Sequence, residues 1–381
     1  MHCDDAGRGD TNRQYINRKG INRCQLRFLP LKERKNKVRI DRPAEELDAL
    51  PRGKTPLIRK AAEAVQKARE SDRPVILAFG AHTIKNCLAP LLIRFIEEGW
   101  ITHLASNGAG IIHDWEFAYQ GASSEDVRQN VASGTFGMWR ETGLYINLAI
   151  AAGAFRGFGY GESVGHMIHH DGIDLPGEEE LLSIGETRAE DPQKRAAALD
   201  LYHVIYRNRL QTGFLSVIHP YKQFSLQEAA FRLQVPFTGH PMFGHDIIYT
   251  HPVNNGASIG RTAERDFLCF ADSISKLENG VYLSVGSAVM SPMIFEKSMS
   301  MAQNLALQKG RTIQNHSIFV VDLSEMDWNW DTDGEPPPDN PAYYHRFCKT
   351  FARMGGEMTY IAADNRTFFT TLYRMLSGSL R

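Results

Sequence analysis

Six short runs of apolar and β-branched residues, each closing on a small or polar residue, constrain this chain more than any other feature. They are RPVILAFG (73–80), ITHLAS (101–106), VPFTGH (235–240), GVYLSVGSA (280–288), SIFVVDL (317–323) and MTYIAAD (358–364). Runs too continuous to alternate polar and apolar residues read as strands buried on both faces, the pattern of a parallel sheet. Helical spacing appears before, between and after them, in LIRKAAEAVQKARES, TIKNCLAPLLIRFIEEGW, SLQEAAFRLQ, ERDFLCFADSISKL, SPMIFEKSMSMAQNLALQKG and RTFFTTLYRML. The succession predicts an α/β fold: a doubly wound, mostly parallel sheet of six or more strands with helices on both faces. One continuous domain over residues 55–381 accommodates it.

Composition agrees. Over 381 residues, 43 Lys and Arg face 44 Asp and Glu, and 43% of residues are hydrophobic, which excludes a wholly disordered chain. The longest apolar runs, 75–79 and 148–155, are too short for a span of about 20 residues, so no membrane contact is expected. Charge is uneven, because residues 1–42 hold twelve Lys and Arg against five Asp and Glu. This stretch, with Arg34, Lys35, Lys37, Arg39 and Arg42, reads as part of a basic, poorly ordered N-terminal arm over 1–54 rather than a nucleic-acid contact. Five scattered cysteines without a C-x-x-C pair suggest neither a disulfide scaffold nor a thiolate zinc site, and fit a reducing cytoplasm.

In an open parallel sheet, ligands sit beyond the carboxyl ends of the strands. The first run ends in Gly80, Ala81, His82, Thr83 and Asn86, and the second in Ser106, Asn107, Gly108, Ala109 and Gly110, then His113, Asp114 and Glu116. Gly286 and Ser287 follow the fourth run, and Asp364, Asn365 and Thr367 the last. Glycines let backbone N–H groups approach a pyrophosphate, and an aspartate there accepts from a ribose hydroxyl. The candidate cofactor residues are therefore Thr83, Asn86, Ser106, Asn107, Gly108, Gly110, Gly286, Ser287, Asp364 and Asn365. No G-x-G-x-x-G fingerprint is present; Asn107–Gly110 and Gly157–Gly161 imitate it and suit tight turns equally well.

After the third run, His240, His245, Asp246 and His251 fall within twelve residues. Such a cluster suits proton transfer near neutral pH. It could alternatively bind a divalent metal, although H-x4-H-D-x4-H matches no standard ligand spacing. His166, His169, His170 and Asp171 read as a polar surface turn, and the stripe Met290, Met293, Met299 and Met301 as core packing.

The order of these motifs resembles the deoxyhypusine synthase family over roughly residues 74–376. Gly80-Ala81-His82-Thr83 stands where the family has a Thr-Ser-Asn-type turn, and Asn107-Gly108-Ala109-Gly110 followed by His113 and Asp114 where it has an Ala-Gly-Gly turn. Val235-Pro236-Phe237 leading to His245-Asp246-Ile247-Ile248 parallels a strand leading to a Gly-Asp-Met-Ile motif, whose aspartate holds a substrate amine. Gly286-Ser287-Ala288-Val289 and Asp364-Asn365-Arg366-Thr367-Phe368 echo a Gly-rich turn and a closing Asp-Ala-Ser. The resemblance implies a Rossmann-like sheet, bound NAD and a homotetramer with sites between subunits. In the family, NAD takes hydride from a polyamine whose aminobutyl group passes to an enzyme lysine. This chain departs there: the Trp-Gly-Lys motif is absent, leaving Lys349 as the lysine of that stretch, and Met290-Ser291-Pro292-Met293 replaces paired histidines.

The leading expectation is a deoxyhypusine-synthase-like enzyme that binds NAD and oxidises, or transfers part of, a small amine- or hydroxyl-bearing substrate, by chemistry other than deoxyhypusine synthesis. Asp246 would hold the substrate, His113 or His245 would move the proton, and Lys349 is the candidate acceptor. Asp114, Glu116, His240 and His251 are candidate substrate contacts. A metal-dependent lyase or hydrolase using His240, His245, Asp246 and His251 is the alternative, and a scaffold with a degenerate site is the third reading.

Overall fold

The computed structural model describes residues 20–40, 55–188 and 191–378. Each of the six apolar runs forms a strand: β1 (Val75–Phe79), β2 (His103–Ser106), β3 (Phe237–Gly239), β4 (Val281–Val285), β5 (Ser317–Asp322) and β6 (Glu357–Ala362). All pair in parallel, in the order β6-β5-β4-β1-β2-β3. The chain thus winds outward in one direction from β1 to β3, returns to the centre, and winds the other way from β4 to β6. The reversal lies between β1 and β4, whose carboxyl ends are where open parallel sheets bind ligands.

The two-residue period of the strands divides the core. Val75, Leu77 and Phe79 pack into one layer with Ile58 of helix α1 (Thr55–Glu70), Leu92 of α2 (Ala89–Glu97) and Phe368 of α9 (Asn365–Leu376). Ile76 and Ala78 point into the opposite layer, against Phe270 of α7 (Gly256–Ser275) and Phe295 of α8 (Met290–Leu307). A long excursion separates β2 from β3. It carries α3 (Gly108–Gln120), α4 (Arg140–Arg156), α5 (Tyr160–His170), α6 (Leu226–Arg232) and a small antiparallel pair, Gly172–Leu175 with Gly213–Ser216.

The unpacked arm expected over 1–54 is corrected where it is described. Residues 20–40 are packed onto the body, while 1–19 and 41–54 lie outside the described residues. Arg34 is buried and forms a two-pronged pair with Glu116 of α3, at 2.7 and 2.6 Å. Nη1 of Arg23 donates to the carbonyls of Tyr249 and His251 and to Oδ1 of Asn254. Val38–Arg39 pairs with Ala122–Ser123, and Leu31 is fully buried. Arg23 and Arg34 thus have dedicated partners on the body. Among the described residues, no helix is long and apolar enough to cross a membrane.

Candidate functional site

Most small and polar residues at the strand ends hold the fold itself. A Cβ on Gly80 would overlap the carbonyl oxygen of Gly286, so glycine there lets the ends of β1 and β4 touch each other. Gly286 has φ +60°, which glycine adopts without strain. Ser106 donates from Oγ to the Phe79 carbonyl at 3.1 Å, and Asn107 caps α3 by accepting from the Gly110 N–H at 2.9 Å. Ser287 accepts from the Ser291 N–H, and Asp364 caps α9 by accepting from the Thr367 N–H and hydroxyl. Asn86 ends the short helix Ala81–Lys85. Farther in, Nδ2 of Asn365 donates to Thr83 Oγ1 at 2.8 Å, beside Gly286. Thr83, Gly286 and Asn365 therefore meet at the β1/β4 reversal.

The histidines and carboxylates named from sequence are dispersed. Both oxygens of Asp114 are taken by Ser225 Oγ, the N–H groups of Leu226 and Gln227, and Nε2 of Gln227, so it anchors the start of α6. Glu116 is taken by Arg34, Ser123 and Thr142. His113 bonds Ser123 through Nδ1 at 2.7 Å, and burial pushes its pKa down to about 4. His240 is buried and reaches Thr238 Oγ1, which also bonds His103; burial lowers both imidazoles to about 3. His251 packs edge-on to Phe28 and accepts from the Val253 N–H. Lys349 holds its ammonium 3.3 Å over the Tyr343 ring and pairs with Glu335 at 3.5 Å. His245 is exposed.

These positions correct the metal reading. Among the described residues, no group of three or more His, Cys, Asp or Glu side chains could hold a metal ion. His240 is committed to Thr238, and His251 to its own loop and Phe28.

Beyond the ends of β2 and β3 a different set stands out. The Asp246 carboxylate lies against α3, where a Cβ on Gly108 would overlap it, and its Oδ2 is buried without a hydrogen-bond partner. The Tyr160 hydroxyl is likewise buried and unpartnered, whereas the Tyr249 hydroxyl faces the Asp246 carboxylate. Burial raises the Asp246 pKa to about 6, against the opposing pull of the Tyr249 hydroxyl and His245. Burial raises the Tyr160 phenol too, with Asp246 the first charge adding to the effect and Tyr249 and Asp266 after it. Tyr249 stacks on exposed Phe243, ring centroids 4.6 Å apart, at the outer side. Asp266 shapes this recess from α7 by accepting from the Gly161 and Gly239 N–H groups at 2.9 and 2.6 Å. Burial lifts its pKa to about 7 against those donors.

Sequence reasoning missed Tyr160 and Tyr249. Tyr160 sits inside the Gly157–Gly161 segment, which packs α5 onto β3 so closely that a Cβ on Gly161 would overlap the Phe237 carbonyl. The available signal was an aromatic residue among glycines, where the glycines admit the ring.

Strand order defines a doubly wound, Rossmann-like α/β chain. No protein-family model and no curated protein matches it. Among solved structures it is similar to AgrE, once as a cysteine-to-alanine mutant with L-arginine (13% identity, TM-score 0.43) and once with ornithine and NAD+ (13%, 0.42). Each alignment covers 87% of this chain and 34% of the other, so the chain spans about a third of the length of AgrE. It is also similar to a conserved LOR/SDH protein from Methanococcus maripaludis S2, at 12% identity and TM-score 0.41, over 89% of this chain and 74% of that one. Likeness at this level carries no activity across.

Proposed function

We propose that the chain is a deoxyhypusine-synthase-like enzyme that binds NAD along the carboxyl edge of its sheet and acts on a small amine- or hydroxyl-bearing substrate. The observation that carries this reading is the reversal of winding between β1 and β4, with Thr83, Gly286 and Asn365 at its centre. What supports a hydroxyl-rich ligand is that two buried polar atoms by the ends of β2 and β3, Oδ2 of Asp246 and the Tyr160 hydroxyl, lack hydrogen-bond partners. NAD, when bound, supplies a hydride acceptor. The chain's part is to orient the substrate, exclude water and handle the proton. His245, exposed beside Asp246, is the proton carrier of this reading. His113 is the poorer base, since its depressed pKa leaves it neutral and weakly basic at pH 7.

Lys349 takes no acceptor role in this reading, because its ammonium is engaged with Tyr343 and Glu335. The resemblance also supports a homotetramer, which light scattering tests. The cofactor is tested by calorimetric titration of the purified protein with NAD. One dinucleotide per chain is expected; absence of heat at millimolar NAD defeats the reading.

A further inference from the structure

The two-residue period of a strand puts His103 on the same face of β2 as Ala105, and His240 on the same face as Thr238 at the end of β3. Ala105 pairs with Thr238, so these side chains share one layer with α7, where Phe270 packs edge-on to both imidazoles. Polar groups are costly in such a layer unless bonded, and here they are bonded into one row. Ser273 of α7 meets Nδ1 of His103 at 2.8 Å, Nε2 of His103 meets the Thr238 hydroxyl at 3.0 Å, and that hydroxyl meets Nε2 of His240 at 2.9 Å. The row starts at half-buried Ser273, beside the amino end of β2, and finishes at His240, just past the carboxyl end of β3. His240 keeps 8% of its surface exposed, and among the described residues nothing engages its Nδ1.

We propose that Ser273, His103, Thr238 and His240 form a proton path between the carboxyl edge of the sheet and the solvent beside α7. The source of the proton rests on the NAD reading above: oxidising a hydroxyl or amine sends a hydride to NAD and releases one proton. His240 takes that proton on Nδ1 and gives the one on Nε2 to Thr238 Oγ1. Thr238 passes its own hydroxyl proton to Nε2 of His103. His103 gives the proton on Nδ1 to Ser273 Oγ, and Ser273 releases its own to water. Every group ends with its original charge and every hydrogen bond in the row is reversed. Burial pushes the pKa of both imidazoles down to about 3, so at neutral pH each keeps the one N–H and one lone pair that a reversible link needs. The competing acceptor for the Thr238 hydroxyl, the Leu104 carbonyl, is farther away at 3.4 Å. Exposed His245 remains the carrier while the edge is open to water, and this path serves once a bound ligand covers it.

The test is heteronuclear NMR of the full chain, isotopically labelled at its histidine ring nitrogens, at pH 7 and with a thermal melt of each variant. One hydroxyl can accept from one imidazole while donating to the other, so only one of the two facing Nε2 atoms should carry a proton at a time. Ser273→Asp offers His103 an acceptor alone and should turn the whole row, shifting His240 toward its Nε2–H form by at least about tenfold. Adding Thr238→Val should cancel that response. If Ser273→Asp fails to melt cooperatively, Ser273→Ala should still move the ring-nitrogen shifts of His240. Protons on Nε2 of both histidines in the full chain, with the Thr238 hydroxyl turned to Leu104, overturn the proposal. So does a His240 tautomer unmoved in a folded Ser273 variant, the result that purely structural hydrogen bonds would give. The spectra need no dinucleotide, so failure of the NAD reading, seen in its own titration, is distinguished from failure of the path.

Discussion

Replacing Arg34 by Met should be among the most damaging single changes outside the sheet. The guanidinium meets Glu116 at 2.7 and 2.6 Å, with the two side chains 2% and 1% exposed. Removing one partner of such a pair leaves an uncompensated buried charge, at a cost of about 3–5 kcal/mol. Ser123 and Thr142 still donate to Glu116, which argues for the lower half of that range. The pH dependence gives an independent sign. Burial raises the Glu116 carboxyl, but Arg34, His113 and Ser123 together outweigh it and hold the folded pKa below its usual value. In the parent chain this group therefore stabilises the fold above about pH 4.3, and that contribution is lost as pH falls through the folded value. In Arg34→Met burial acts with less opposition, the folded pKa rises above the unfolded one, and the variant's deficit relative to the parent should narrow as pH falls toward 5. Urea unfolding at pH 7 and pH 5 reads both effects. The double variant Arg34→Met/Glu116→Gln should regain most of the loss. A cost below about 1 kcal/mol at pH 7, or the same pH trend in parent and variant, would refute the reasoning.

Other consequences can be checked with the same methods. Gly80→Ala, whose Cβ would overlap the Gly286 carbonyl, should destabilise by about 3 kcal/mol in urea unfolding, whereas Gly260→Ala, mid-helix with open space around it, should stabilise by about 0.5–1 kcal/mol. His103 and His240 are held neutral down to about pH 3, below their unfolded values, so acidification from about pH 6.5 should destabilise the fold. His240→Asn should flatten that slope in thermal melts taken from pH 7 to 5. Lys349→Ala should leave NAD affinity unchanged by calorimetry, because its contacts are Tyr343 and Glu335.

The strands were legible because burial on both faces leaves a local mark: RPVILAFG became Val75–Phe79 and SIFVVDL became Ser317–Asp322. Their order was not, since β2 and β3 are neighbours across an excursion with seven α-helices among its described residues, which no local pattern closes. Arg34 was misread for a related reason, its partner lying 82 residues away. Asp191-Pro192 opens the helix Pro192–Asn208, with Asp191 accepting from the Lys194 N–H. Aspartate at a cap and proline in the first turn carried that signal in the sequence. The glycines after the strands were read as facing a ligand, yet Gly80 faces Gly286 and Gly110 faces Ser106. At the site, Asp246 was named from its motif. Tyr160 and Tyr249 were not, because what their hydroxyls face is a property of the folded surroundings, marked in residue order only by the glycines around Tyr160.

A crystal structure of the full chain grown with NAD tests the central claim most directly. The account predicts the dinucleotide across the carboxyl ends of β1 and β4, with its pyrophosphate near Gly80 and Gly286. A dinucleotide bound elsewhere, or none bound at saturating NAD, would contradict it.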